Sequence, residues 1–163
     1  MTVEVRRAET DAERADALEV RRAVFVEEQG VPEDLEMDGR DGESIHFVAY
    51  DADAAAGESS ERDDADPGPD NRRPIGAGRL REVGEGVAKV ERIAVLQPHR
   101  GEGVGREIMR TLEATATERG LSELVMHAQT PVEGFYRDLG YETTSDEFEE
   151  AGIAHVEMAK SLA

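Results

Sequence analysis

The stretch VERIAVLQPHRGEGVG, residues 90–105, decides how this chain is read: an apolar, strand-like run passes through a glycine-rich turn straight into an amphipathic helix. Beyond Gly105 the apolar residues Ile108, Met109 and Leu112 recur at helical spacing. The turn therefore presents the unpaired N–H groups and partial positive charge of a helix N-terminus, and phosphate is the natural occupant of such a corner. Glycine at 101, 103 and 105 permits positive φ and lets main-chain amides approach a ligand, and Arg100 and Arg106 flank the turn as charge-assisted donors. A Walker loop would need Gly-Lys-Ser/Thr here, and a dinucleotide fingerprint would need different glycine spacing and a following acidic residue. Neither pattern is present, which disfavours nucleoside triphosphates and NAD. Taken alone, the turn is equally readable as a plain helix cap.

Working outward, residues 2–7 alternate Val3 and Val5 with polar residues and predict a first strand. Thr10 or Asp11 then caps a helix whose Ala15, Leu18, Arg22 and Phe25 line one side, ending near Gln29 and Gly30. SIHFVAYD (44–51) is strand-like, and PIGAGRLREV (74–83) and GVAKVERIAV (86–95) predict an antiparallel pair joined at Gly84, Glu85 and Gly86. A helix over about 102–119 stops at Gly120 and leads to a buried strand, LSELVMHA (121–128). Pro131 opens a second helical stretch that ends at Gly140, before a strand at 141–144 and a last one at about 153–159. Between the second and third strands, residues 52–73 are poor in apolar bulk and read as an acidic, flexible hairpin insertion.

At 163 residues, one domain spanning 1–163 is the expectation. No run suits a membrane span and the N-terminus lacks the order of a signal peptide, so a cytoplasmic protein without membrane partners is expected. The absence of cysteine excludes disulfides and thiolate chemistry. With 38 acidic against 19 basic residues the net charge is −19, which argues against nucleic acid as a partner. The acidic excess is spread along the chain and Lys89 and Lys160 are the only lysines, which favours a halophilic-type surface suited to concentrated salt over an ordinary acidic protein with one acidic loop.

The order of elements, together with R-x-x-G-x-G at Arg100, Gly103 and Gly105 and FYRDLGY at 135–141, resembles the GNAT superfamily of acyl-CoA-dependent N-acyltransferases. RRAVFVEEQGVPEDLEMD (21–38) and AGIAHVEM (151–158) are similar, more narrowly, to its ElaA/YjcF-like branch. The resemblance covers nearly the whole chain except the insertion. It implies an α/β (α+β) GNAT fold, with a mixed, mostly antiparallel sheet of about six to seven strands, flanked by helices and splayed between strands 4 and 5. It also implies an N-acetyltransferase in which acetyl-CoA lies in that opening and a primary amine attacks the thioester directly in a ternary complex. The alternative is a noncatalytic acyl-CoA-binding module of the same fold.

By the same resemblance the cofactor's pyrophosphate would sit on Gly101, Glu102, Gly103, Val104, Gly105 and Arg106, near Arg100, with Arg110 adding charge. The pantetheine arm would pair with Ile93, Ala94 and Val95, as an extended amide chain adds to a strand edge. Val95 N–H would meet the oxyanion, Tyr136 would protonate the departing thiolate, and Gln129, where the family often has asparagine, would contact the arm. A tyrosine near pKa 10 stays protonated at neutral pH, and donation to the thiolate of an alkyl thiol is feasible. Glu91 shares strand parity with Ile93 and Val95 and is a candidate general base, or equally a solvated strand residue paired with Arg92 or Arg81; a water relay or an amine that is already neutral needs no such carboxylate. His127 and His155 are also titratable near neutrality, each more often a hydrogen-bonded core histidine than a base, and His46, His127 and His155 lack close ligand spacing, so no metal is expected. The acceptor, a small-molecule or peptide amine, would meet residues 27–32 and 145–152, both rich in carboxylates; a homodimer is compatible with the sequence.

Overall fold

The computed structural model of the protein describes residues 2–52 and 73–162; the expected acidic insertion lies outside them except for its end residues, Ala52 and Arg73. In chain order the elements are β1 (Val3–Arg7), α1 (Asp11–Arg21) running on into a π-helical segment (Arg22–Glu28), α2 (Glu33–Glu36), β2 (Ile45–Asp51), β3 (Arg73–Gly84) and β4 (Val87–Val95). There follow α3 (Val104–Glu118), β5 (Glu123–Gln129), α4 (Glu133–Asp138), β6 (Glu142–Thr143), β7 (Phe148–Glu150) and β8 (Ile153–Ser161). The strands form an eight-stranded sheet in the order β1-β2-β3-β4-β5-β8-β6, with β7 also on β8. β4 and β5 are parallel, and β1–β2, β5–β8, β6–β8 and β7–β8 are antiparallel. The chain divides into two compact units, Met1–Arg79 with Arg92–Glu113 and Leu80–Glu91 with Ala114–Ala163.

In the first unit Thr10 opens α1 with a reciprocal cap, its hydroxyl accepting from Glu13 N–H at 3.1 Å while the Glu13 carboxylate accepts from Thr10 N–H at 3.2 Å. The helix turns the expected side only partly inward: Ala15 and Arg22 are exposed, Leu18 is half-buried, and Phe25, half-buried, packs against the core. Its inward stripe is Glu13, Asp16, Ala17, Val20, Arg21 and Val24. Charged residues are tolerated inside because each is paired: Tyr50 donates to Asp16 at 2.7 Å, and Arg21 holds two carboxylates described below. Apolar packing lies on both sides of the strands. Val48, Tyr50, Ala77 and Ala94 pack with Ala17, Val20 and Val24 of the α1 layer, whereas Ala49 and Ile75 pack with Val104 and Ile108 of α3.

Gly76 sets how closely α3 approaches β3. A Cβ there would meet Ile108 Cδ1 at 2.8 Å, Val104 Cγ1 at 3.1 Å and the Ala49 Cβ at 3.2 Å. Gly76→Ala is therefore expected to cost about 1–3 kcal/mol by overpacking, read as a lower urea midpoint at unchanged slope.

The second unit centres on β5. On one edge it pairs in parallel with β4, from Val87↔Glu123 to Val90↔Met126. On the other it pairs along β8, from Glu123↔Ser161 to Gln129↔His155. The parallel ladder stops at Val90 and Met126 although β4 runs on to Val95 and β5 to Gln129. The strand β7 is an addition to the sequence reading. It returns on β8 through Ala151 and Gly152, both in left-handed backbone with φ of 54° and 75°.

Candidate active site

Leu96 N–H donates across to Ile75 C=O at 2.9 Å, so by the alternation of an antiparallel ladder the polar groups of Val95 point to the opposite edge of β4. There Val95 C=O accepts from Arg100 Nε at 2.9 Å. The β4–β5 ladder assigns no partner to Ile93, Ala94 or Val95, which leaves that edge suited to an extended amide chain.

The turn that follows has Gly101 and Gly103 in left-handed backbone, φ 81° and 89°, as glycine there predicts. Gly105 differs: it lies in the first turn of α3. Among the described residues nothing stands within 4 Å of where a Cβ of Gly101 or Gly103 would be. Glu107 is the first α3 residue whose amide bonds back, to Gly103 C=O at 3.1 Å; the amides of Val104, Gly105 and Arg106 have no backbone acceptor among the described residues.

The three arginines expected near an anion are not equivalent. Arg100 grips Glu28 with two hydrogen bonds of 2.6 Å, which hold the Glu28 carboxyl below its usual range and raise Arg100. Arg110 is paired with Glu107 at 2.9 Å, and Glu102 stands 3.5 Å from His99. Arg106 is exposed and has no ion pair among the described residues, so it is the cation still available at the helix start.

Tyr136 lies in α4, 7% exposed, its ring edge-on to Phe135 and to Tyr141. Its hydroxyl has no hydrogen-bond partner among the described residues, and burial raises its pKa, keeping it protonated. Gln129 ends β5, opposite His155.

Glu91 is not where strand alternation puts it. Arg92 adopts φ 58°, a left-handed residue inside β4 that acts as a bulge. Glu91 is held by Arg81 through bonds of 3.0 and 3.1 Å, while Arg92 bonds to Asp38 beside Arg79, so Glu91 and Arg92 face the same side as the equal-parity β3 residues 79 and 81. Ile93 instead approaches Gly78 on the α3 side. The bulge thus turns Glu91 away from the face of Ile93 and Val95. With Lys89 Nζ also 3.6 Å away, its carboxylate is clamped between two cations, a poor setting for a proton acceptor.

Sequence reasoning missed a buried ion network. Arg21, 1% exposed, bonds to Glu36 at 2.8 Å and Asp41 at 2.9 Å; Arg79, fully buried, bonds to Asp38 and Asp41; Arg92 reaches Glu36, Asp38 and the carbonyls of Leu35 and Glu36. The only sequence signal was the segment 21–38 itself, whose charges look solvent-facing. The network ties the segment carrying α2 onto β3 and the bulge. His46 Nε2 lies 2.9 Å from Asp41 C=O, and His155 Nδ1 lies 2.7 Å from Ile153 C=O. Among the described residues no cluster of His, Asp or Glu suits a metal ion, and no helix is long and apolar enough to cross a membrane.

A parallel ladder that ends at Val90, a strand edge it leaves unassigned and a glycine turn feeding a helix fit an acyltransferase scaffold, and comparison with known proteins agrees. Residues 69–162 match the family model described as the acetyltransferase (GNAT) domain. The N-acetyltransferase YjcF of Bacillus subtilis, itself uncharacterized, is 40% identical over 154 residues, covering 94% of this chain and 96% of its own. A crystal structure of a candidate N-acetyltransferase from Lactobacillus plantarum is 29% identical with a TM-score of 0.81 over 100% of both chains. That of Escherichia coli ElaA, 22% identical, shares the fold with a TM-score of 0.74 over 98% of both. The chain belongs to the GNAT acetyltransferase family, in its ElaA/YjcF-like branch.

Proposed function

We propose that the protein moves an acetyl group from acetyl-CoA to a primary amine, on a small molecule or a peptide, by direct attack in a ternary complex. Tyr136 carries this reading. A buried hydroxyl without a partner costs about 1–3 kcal/mol, a cost that makes sense where a ligand atom completes the bond. The amine nitrogen bonds to the thioester carbon, Val95 N–H meets the oxyanion, the C–S bond breaks, and Tyr136 gives its proton to the leaving sulfur. The diphosphate falls to the amides of Gly101, Glu102, Gly103, Val104, Gly105 and Arg106, with the Arg106 guanidinium as the nearby cation. Ile93, Ala94 and Val95 pair with the pantetheine amides, Gln129 contacts the arm, and Arg100 braces Val95 C=O against Glu28. A cytoplasmic site of action suits an acetyl-CoA-dependent enzyme.

The test is incubation with radiolabelled acetyl-CoA and a panel of polyamines, amino acids and peptides. Label on an amine supports transfer. Tight CoA binding without turnover on any acceptor would favour the noncatalytic acyl-CoA-binding module, and no CoA uptake by calorimetry in saline buffer would sink both.

A further inference from the structure

Glu91 being clamped, the acceptor's proton needs another destination, and the second unit contains one. His127 is the first residue of β5 beyond the last β4–β5 pair, Val90↔Met126. Its side chain is 28% exposed, and Nδ1 lies 2.8 Å from Glu150 Oε1 of β7. The Phe148 ring, two residues before Glu150, meets the imidazole edge-on at 5.1 Å and stacks on His155. β7 therefore holds the imidazole by a carboxylate and by a ring. Lys89 Nζ is also 3.5 Å from Nδ1, at the limit of a hydrogen bond; the shorter contact to Glu150 fixes the proton on Nδ1. Nε2 then carries the lone pair and has no partner among the described residues.

Among the described residues, the charged groups on the strands beside the ring have partners of their own. Lys89 and Arg81 flank Glu91, and Glu157, the β8 residue opposite His127, accepts from Thr144 at 2.9 Å. A partly exposed imidazole oriented by a carboxylate, with its far nitrogen open, is the arrangement of a general base.

Resting on the acetyltransferase reading, we propose that His127 is the general base toward the acceptor amine, with Glu150 as its positioning residue. Nε2 takes one proton from the ammonium, and the neutral nitrogen attacks the thioester. The C–N bond forms and the C–S bond breaks, with Tyr136 protonating the sulfur. The second amine proton returns to the Tyr136 phenolate, and His127 releases its own to solvent. The sum is ammonium plus thioester giving amide, free thiol and one proton.

The experiment measures kcat/KM from about pH 5.5 to 9.5, with acetyl-CoA and whichever panel acceptor the wild-type chain acetylates fastest. His127→Gln should lower the neutral-pH value about 100- to 1000-fold and leave CoA affinity unchanged. The deficit should shrink as pH rises and the amine sheds its own proton, and added imidazole should restore His127→Ala. Glu150→Gln should lower the rate by a smaller factor. A deficit equal at every pH and not rescued by imidazole would show a merely structural role and overturn the proposal, while transfer by the wild type would still support the enzyme. Histidine nitrogen NMR gives a readout independent of turnover: a bare Nε2 in the neutral ring is expected, and a protonated Nε2 overturns the assignment. If the wild type acetylates nothing, the acetyltransferase reading fails and the base role falls with it.

Discussion

Tyr136→Phe is expected to slow acetyl transfer by about two to four orders of magnitude while leaving CoA affinity nearly unchanged. The substitution removes one oxygen and keeps the ring that packs at 5.0 Å from Phe135 and 6.0 Å from Tyr141. Because the hydroxyl has no partner among the described residues, removing it should leave the folded state as stable as before or more so. A slower enzyme with an undiminished melting temperature is thus the signature, and it separates chemistry from folding. The same burial that keeps Tyr136 protonated makes it a weaker acid, so donation to a solvated thiolate would run uphill. It becomes favourable when the sulfur is desolvated too, since burial raises a thiol as it raises a phenol. An unchanged rate in the variant would remove Tyr136 from the reaction.

Much of the fold was legible because it was written in periodicity and glycine. Gly120 and Gly140 end their helices with φ of 77° and 101°, where the sequence placed the stops, and Gly101 and Gly103 shape the turn as expected. What escaped are features that break a period. The bulge at Arg92 shifts alternation by one residue, and nothing in VERIAV marks it, so Glu91 was assigned to the wrong side. In α1, searching for an apolar stripe selects Ala15 and Leu18, because Glu13, Asp16 and Arg21 look solvated until their partners on distant elements are known. The π-helical turn, where Gln29 N–H bonds to Val24 C=O five residues back, leaves no compositional trace, and β7 is too short to alternate. His127 was visible as a residue, but its partner Glu150 arrives only through that unanticipated strand.

Arg79→Met is expected to destabilise the protein by about 3–5 kcal/mol, a fall of roughly 10 °C in melting temperature for a chain of this size. The guanidinium is fully buried and makes bonds of 2.8 and 2.9 Å to Asp38 and 2.9 Å to Asp41; without it, Asp38 keeps the Arg40 N–H at 3.0 Å and the longer Arg92 contact of 3.3 Å, with Arg92 its remaining cation among the described residues. Asp41 retains Arg21 at 2.9 Å, with His46 Nε2 3.9 Å from the same carboxylate. The loss follows from stranding charge that remains partly desolvated, and added salt should recover little of it because screening acts mainly on exposed charges. The network also has a pH signature. Hydrogen bonds from Arg79 hold Asp38 well below the usual carboxylate range. For Asp41 burial pushes upward, but the bonds from Arg21 and Arg79 outweigh it and the net shift is downward. Both carboxyls bind protons more weakly folded than unfolded, so their contribution is complete above about pH 4–5 and is lost as pH falls through the lowered folded values. Denaturant melts of the wild type should therefore weaken on acidification from about pH 5 downward, and Arg79→Met should show a shallower slope there. Equal slopes in the two proteins would mean that the arginine does not hold these acids ionised. Because Arg92, at the bulge, draws on Glu36 and Asp38 of the same network, loosening it should also reach the strand that carries Ile93, Ala94 and Val95. Arg79→Met at a permissive temperature is thus expected to raise the Kd for CoA several-fold, measured by calorimetry, although Arg79 itself lies outside the edge and turn assigned to the cofactor.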